Sequence, residues 1–165
     1  MSEGKTERVT ERDQEQVRAF VEQLALTLTD YGFPRMPSRV LVTLMAADED
    51  GLTAAQLGER LGVSPAAISG AVRYLIHVGL LQRLPTPGSR RDRYRLPADP
   101  WYESASMQDA FMGQVVSVSD DGVKALGADT AAGRRMERMR DFFAFIQREV
   151  GDLLAKWRTE NPLDQ

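Results

Sequence analysis

The chain has 165 residues, of which 42% are hydrophobic and 27% charged, with a formal net charge of -3, one histidine and no cysteine. That composition suffices for a hydrophobic core, excludes disulfides and thiolate metal sites, and with a single histidine argues against a Ser-His-Asp triad or a histidine-rich zinc site. No stretch is apolar enough for a secretory leader or a bilayer span, so a soluble, cytoplasmic protein is expected, with no cofactor, no bound metal, no catalytic residues and no membrane partner.

Residues 1–10 are polar and read as a disordered tail. Residues 11–32 read as an amphipathic helix, because Val17, Val21, Leu24 and Leu28 recur at helical spacing before Gly32 and Pro34 end the pattern. A second helix is expected from about Pro37 to Ala47, followed by a turn at "DEDG". In "LTAAQLGERLG", Thr53 and Gln56 have capping-box spacing, and Leu52 and Leu57 can staple the helix start. Gly62 stops that helix. Ser64 as N-cap and Pro65 at the first helical position start the next one, which runs to Gly79.

These two helices carry a helix-turn-helix constellation. Gly58 permits a close crossing, Gly62 tolerates the left-handed turn, and Ile68 plugs the angle, supported by Leu57, Leu61, Val63 and Ala71. Ile68, Val72 and Leu75 share one face and must be the buried one. Ser64, Pro65, Ala66, Ala67, Ser69, Gly70 and Arg73 are therefore expected outside. Small side chains there would let the backbone sit deep in a major groove, with Ser64 and the helix N-terminus on a phosphate and Ser69 and Arg73 on base edges or backbone.

"LLQRL" and "RYRL" read as two short strands of a wing spanning about 81–97, joined by the Pro- and Gly-rich "PTPGSRRD". Between Arg83 and Arg95 five arginines (Arg83, Arg90, Arg91, Arg93, Arg95) stand against one acid, Asp92. Such a local basic spot on an acidic chain is what a polyanion senses at physiological salt. Gly88, Ser89, Arg90, Arg91 and Arg93 are the wing's candidate DNA contacts, with Tyr94 and Leu96 buried and Arg93 and Arg95 wet. Arg83 could instead pair with an acid of the body. His77 reads as a helix-terminal or interface residue, and the methionines as packing. Trp101 and Tyr102 read as anchors between the wing and the next helix, or else as lining of an effector pocket.

A helix is expected from about Glu103 to Leu126. The last one carries the strongest period, with Met139, Phe143, Ile146, Val150, Leu153 and Trp157 on a heptad-like seam. This seam and the Val17, Val21, Leu24, Leu28 stripe are more apolar surface than one small domain covers, so 11–32 and 101–160 are read as dimerisation helices around a DNA-binding domain over 33–100. The expected fold is mainly α (α+β): a winged helix-turn-helix with flanking dimerisation helices. The expected partners are double-stranded DNA and a second copy of the chain. The alternatives are a winged-helix protein-interaction module and, less in keeping with the residues, an enzyme with a pocket in the helical region.

"GFPRMPSRVLVTLM" (Gly32–Met45), "LTAAQLGERLGVSPAAISGAVRYLIHVGLLQRL", "PGSRRDRYRL" (Pro87–Leu96) and "MRDFFAFIQREVGDLLAKW" (Met139–Trp157) together resemble the MarR superfamily of winged-helix regulators, and within it the GbsR-like branch. The resemblance implies a homodimeric transcription factor, usually a repressor, often modulated by a small molecule bound between the dimer helices and the DNA-reading domain. It carries over no ligand residue and no effector identity.

Overall fold

The computed structural model describes residues 3–85 and 91–162, with side chains described from residue 14 onward. The chain runs α1 (Glu3–Asp30), α2 (Arg35–Met45), β1 (Leu52–Thr53), α3 (Ala54–Leu61), α4 (Pro65–His77), β2 (Gln82–Leu84), β3 (Arg93–Arg95), α5 (Pro100–Leu126) and α6 (Ala131–Glu160). It divides into two compact units, Met1–Pro97 and Ala98–Gln165.

In the first unit, α1 begins at Glu3 rather than after a disordered tail over 1–10. The extra turns, residues 3–10, include Glu3, Lys5, Glu7 and Arg8, good helix formers that show no apolar period. Helix α2 starts at Arg35, two residues earlier than expected, and takes Pro37 into its first turn, where the missing N–H would have had no helical acceptor anyway. Val21 and Ala25 of α1 pack on Val42 of α2, and Arg39 reaches across to Glu22 with Nε–Oε1 at 2.8 Å.

The reciprocal capping box of Thr53 and Gln56 opens α3. Gly62 closes it in the left-handed region, at φ 63 and ψ 38. Ser64 then caps α4 by accepting from the Ala67 amide. Leu41, Leu52, Leu57, Ile68 and Leu75 are fully buried and form the centre of the core. A Cβ on Gly58 would lie 3.1 Å from the Val63 carbonyl and 3.8 Å from Ile68 Cγ1, which is the close crossing that glycine permits.

The sheet has three antiparallel strands in the order β1-β3-β2. Strand β1 was not anticipated: Leu52 and Thr53 pair with Tyr94 and Arg93, so β3 is the central strand of the wing. Gly51 precedes β1 at φ 91, and a Cβ there would sit 2.7 Å from the Tyr94 carbonyl. Its backbone approach to β3 therefore needs glycine on two counts.

The second unit is an antiparallel pair of long helices. Helix α5 starts at Pro100, earlier than the expected Glu103, because Asp99 caps it by accepting from the Tyr102 amide. Thr130 caps α6. Across the pair, Gln147 donates to the Asp109 carbonyl at 3.3 Å, Arg140 to Asp120 at 3.1 Å, and the Trp157 indole to Asp99 at 3.2 Å. Arg158 stacks on Tyr102 with its guanidinium carbon 3.9 Å from the ring centroid. Trp101 and Tyr102 thus belong to the first turn of α5, not to a segment ahead of it. Among the described residues no helix is long and apolar enough to cross a membrane.

Candidate nucleic-acid interface

Ile68, Ala71, Val72 and Leu75 turn one face of α4 into the core. The opposite face follows from the helical period. Ser64, Pro65, Ala66, Ser69, Gly70 and Arg73 are exposed, whereas Ala67 is half-buried and corrects the expectation that it lies fully outside. A Cβ added to Gly70 would meet nothing within 4 Å, so the centre of this face is bare backbone. Arg73 supplies its positive charge and has no ion-pair partner among the described residues. His77, one turn later, is exposed on the same stripe. Its place was readable from its spacing to Arg73, but a lone histidine near a helix end gave no reason to group the two.

The wing is less simply basic than its sequence. Gly88, Ser89 and Arg90 lie outside the described residues, and Arg91 is exposed. Arg83 pairs across the hairpin with Asp92, with Nε–Oδ2 at 2.7 Å, rather than with an acid of the body. The Asp92 carboxylate beside it raises the affinity of the Arg83 guanidinium for its proton. Arg93 donates to the Gly51 carbonyl at 2.7 Å, and Arg95 lies 3.7 Å from Asp50. Both are half-buried, which corrects the expectation of a wet arginine face alternating with a buried Tyr94 and Leu96. The reason is β1: the turn before it lies alongside β3 and offers these arginines a carbonyl and a carboxylate. That turn is also tied to α3, because Glu49 pairs with Arg60. Hydrogen bonds from its own backbone and then from Arg60 hold the Glu49 carboxyl below its ordinary value.

The apolar seams divide. Val21 is buried against α2 within its own chain, and Leu24 and Leu28 are partly covered in the same way, so these three are not an open stripe. Val17, Phe20 and Leu26 remain exposed on α1. On α6, Phe143, Ile146 and Val150 are half-buried. Met139, Phe142 (59% exposed), Phe145, Leu153 (66%) and Trp157 are open, as are Met107, Phe111 and Val118 on α5.

An open cleft of about 740 Å³ lies in the first unit between α1, the end of α2 and α3, with Val17, Val21 and Leu61 beside Arg18 and Glu59. Among the described residues no group of three His, Asp or Glu side chains could hold a metal ion.

A model of the MarR family matches residues 31–92, over most of the first unit. A model described as MmpR5-like MarR family transcriptional regulator matches residues 99–160, over the helical pair. The HTH-type transcriptional regulator MmpR5 of Mycobacterium tuberculosis is 29% identical over 142 residues, covering 86% of each chain. A crystal structure of a transcriptional regulator superposes with a TM-score of 0.79 at 28% identity, covering 87% of this chain and 99% of that one. These matches lie with the MmpR5-like group and do not carry the narrower resemblance to the GbsR-like branch. The winged-helix topology, the two consecutive family matches and the likeness to these regulators over most of the chain agree: along both of its units the chain is similar to the MarR family of winged-helix transcriptional regulators.

Proposed function

We infer that the protein is a sequence-specific, DNA-binding repressor that works as a homodimer. The observation that carries this reading is the outer face of α4, where Ala66, Ser69 and Gly70 leave the backbone uncovered beside Arg73. A helix that presents such a surface can approach base edges closely, and its capped N-terminus at Ser64 and Pro65 suits a phosphate. Ser69 and Arg73 are the side chains assigned to base readout. Arg90 and Arg91, with Gly88 and Ser89, are assigned to the flanking backbone or minor groove.

Dimerisation is proposed through the exposed apolar side chains of α6 and α5, with Val17 of α1. Covering one such side chain completely is worth roughly 1.5–3 kcal/mol, so a handful left wet is a large driving force for a two-fold assembly. A dimer also sets two α4 helices about one DNA turn apart. Modulation by a small molecule is part of the same reading, and its ligand is open.

The test is a salt titration of binding to random-sequence DNA and to a fragment recovered by genomic footprinting. Arg91→Ala should lower the salt slope by about 0.9 per site and weaken both DNAs alike. Arg73→Ala should narrow the gap between them. Salt-independent binding by the wild-type chain, or no binding at low salt, would refute the reading. Leu153→Glu should shift the sedimenting species from dimer to monomer.

A further inference from the structure

Five arginines crowd the wing sequence, yet the geometry separates them. We propose that Arg93 is a positioning residue that latches the wing onto the turn before the helix-turn-helix, and that it acts on DNA through Arg91 rather than by contacting phosphate itself. The proposal rests on the DNA-binding reading given above.

The latch is built from three described contacts. The Arg93 guanidinium donates to the Gly51 carbonyl, 42 residues away in the chain. Being charge-assisted, this hydrogen bond is stronger than a neutral one. Backbone pairing of Thr53 with Arg93 and of Leu52 with Tyr94 sets β1 beside β3. The bare Cα of Gly51 lets its turn close on the Tyr94 carbonyl. The same turn reaches α3 through Glu49 and Arg60, and the Arg93 charge contributes to holding Glu49 acidic. Strand β3 is thereby tied to the first helix of the helix-turn-helix, which crosses α4 at Gly58. On the other side of β3, Arg83 and Asp92 close the hairpin. Arg91 lies two residues before Arg93, just ahead of the strand that the latch holds. Its position relative to α4 is inherited from these ties.

An arginine that gripped phosphate would be expected to point its fork to solvent. Arg93 is half-buried and turned toward a backbone carbonyl of its own unit. The neighbouring Arg95–Asp50 pair, at 3.7 Å and with Asp50 open to solvent, adds little by itself, as surface pairs do.

A double-mutant cycle on the full chain separates a latch from a contact. Binding to a random-sequence DNA duplex would be measured across salt for wild type, Arg93→Met, Arg91→Ala and the double variant. A latch makes the two changes non-additive: Arg93→Met weakens binding about tenfold in the wild-type chain and less than about twofold once Arg91 is gone. The salt slope of the double variant then equals that of Arg91→Ala. A further fall of about 0.9 per site in the double variant would make Arg93 a phosphate contact and overturn the proposal. An equal loss in both backgrounds with an unchanged slope would reduce Arg93 to a general stabiliser and overturn it as well. Amide hydrogen exchange without DNA tests the latch alone: Arg93→Met should speed exchange across Gly51–Thr53 and β3. Wild-type rates there would dismiss the latch whatever the DNA result. If the wild-type chain ignores DNA while Arg93→Met still shows the exchange change, the DNA-binding reading and the action through Arg91 fall and the latch itself stands.

Discussion

Gly70 offers a substitution whose effects on stability and on binding should have opposite signs. It sits inside α4, on the exposed face, with nothing within 4 Å of an added Cβ. Glycine in a helix interior costs roughly 0.5–1 kcal/mol relative to alanine, so Gly70→Ala should stabilise the folded chain by about that much. For a protein of this size the midpoint of thermal unfolding should rise by about 1–4 °C. The same methyl stands out from the backbone at the centre of the face proposed to enter the groove. If that backbone approaches DNA closely, one extra methyl group overpacks the contact, at about 1–3 kcal/mol, or roughly five- to 150-fold in affinity. The assay is a thermal melt paired with fluorescence-anisotropy titration of a footprinted DNA fragment. A higher midpoint with undiminished affinity would refute the close approach of α4. A lower midpoint would refute the local geometry on which the whole estimate rests.

Gly62→Ala should cost about 1 kcal/mol, because its Cβ meets no neighbour and only the left-handed backbone is strained; a midpoint unchanged in chemical denaturation would contradict this. Ile68→Ala should cost about 2–5 kcal/mol by opening a cavity between α3 and α4, with a matching drop in the urea midpoint of the first unit. In the helical pair, hydrogen bonds from Lys124 and then Arg140 hold the Asp120 carboxyl below its ordinary value of 3.8. A depressed carboxylate contributes stability above its unfolded pKa and loses it as pH falls through the lower folded value. Asp120→Asn should therefore be less stable than wild type near neutral pH, lose less stability as pH falls below about 4, and match wild type only once the wild-type carboxyl is protonated in the folded chain, which a pH series of melts would check.

Much of the helix-turn-helix was legible in the sequence because its signals are local. The Thr53–Gln56 box, the Ser64–Pro65 start and the Gly58, Gly62, Ile68 spacing each depend on residues a few positions apart, and each takes the expected role. Strand β1 was not legible, because two residues become a strand only when β3 arrives from 40 residues away. The same distance hid the fate of Arg93: a run of arginines advertises charge, but a hydrogen bond to the Gly51 carbonyl leaves no mark in the sequence. The apolar periods on α1 and α6 correctly gave helices. A period, however, says which residues share a face, not which neighbour covers it, so Val21 was read as open and is buried against Val42.

The hydrogen bond from the Trp157 indole to Asp99 has a practical consequence, because the chain has only two tryptophans and both, Trp101 and Trp157, stand in the helical pair. The winged-helix unit is therefore dark in a tryptophan emission spectrum. The emission reports where the ends of α5 and α6 meet, through one half-exposed ring that shares a carboxylate with a helix cap and another in the turn that carboxylate caps. A denaturation followed at 295 nm, where tyrosine is silent, would follow the helical pair alone, and far-ultraviolet dichroism would follow both units. Any offset between the two curves measures how independently the units unfold, with no label added. A change in emission on adding DNA would be a signal passed from a winged-helix unit that cannot itself be seen.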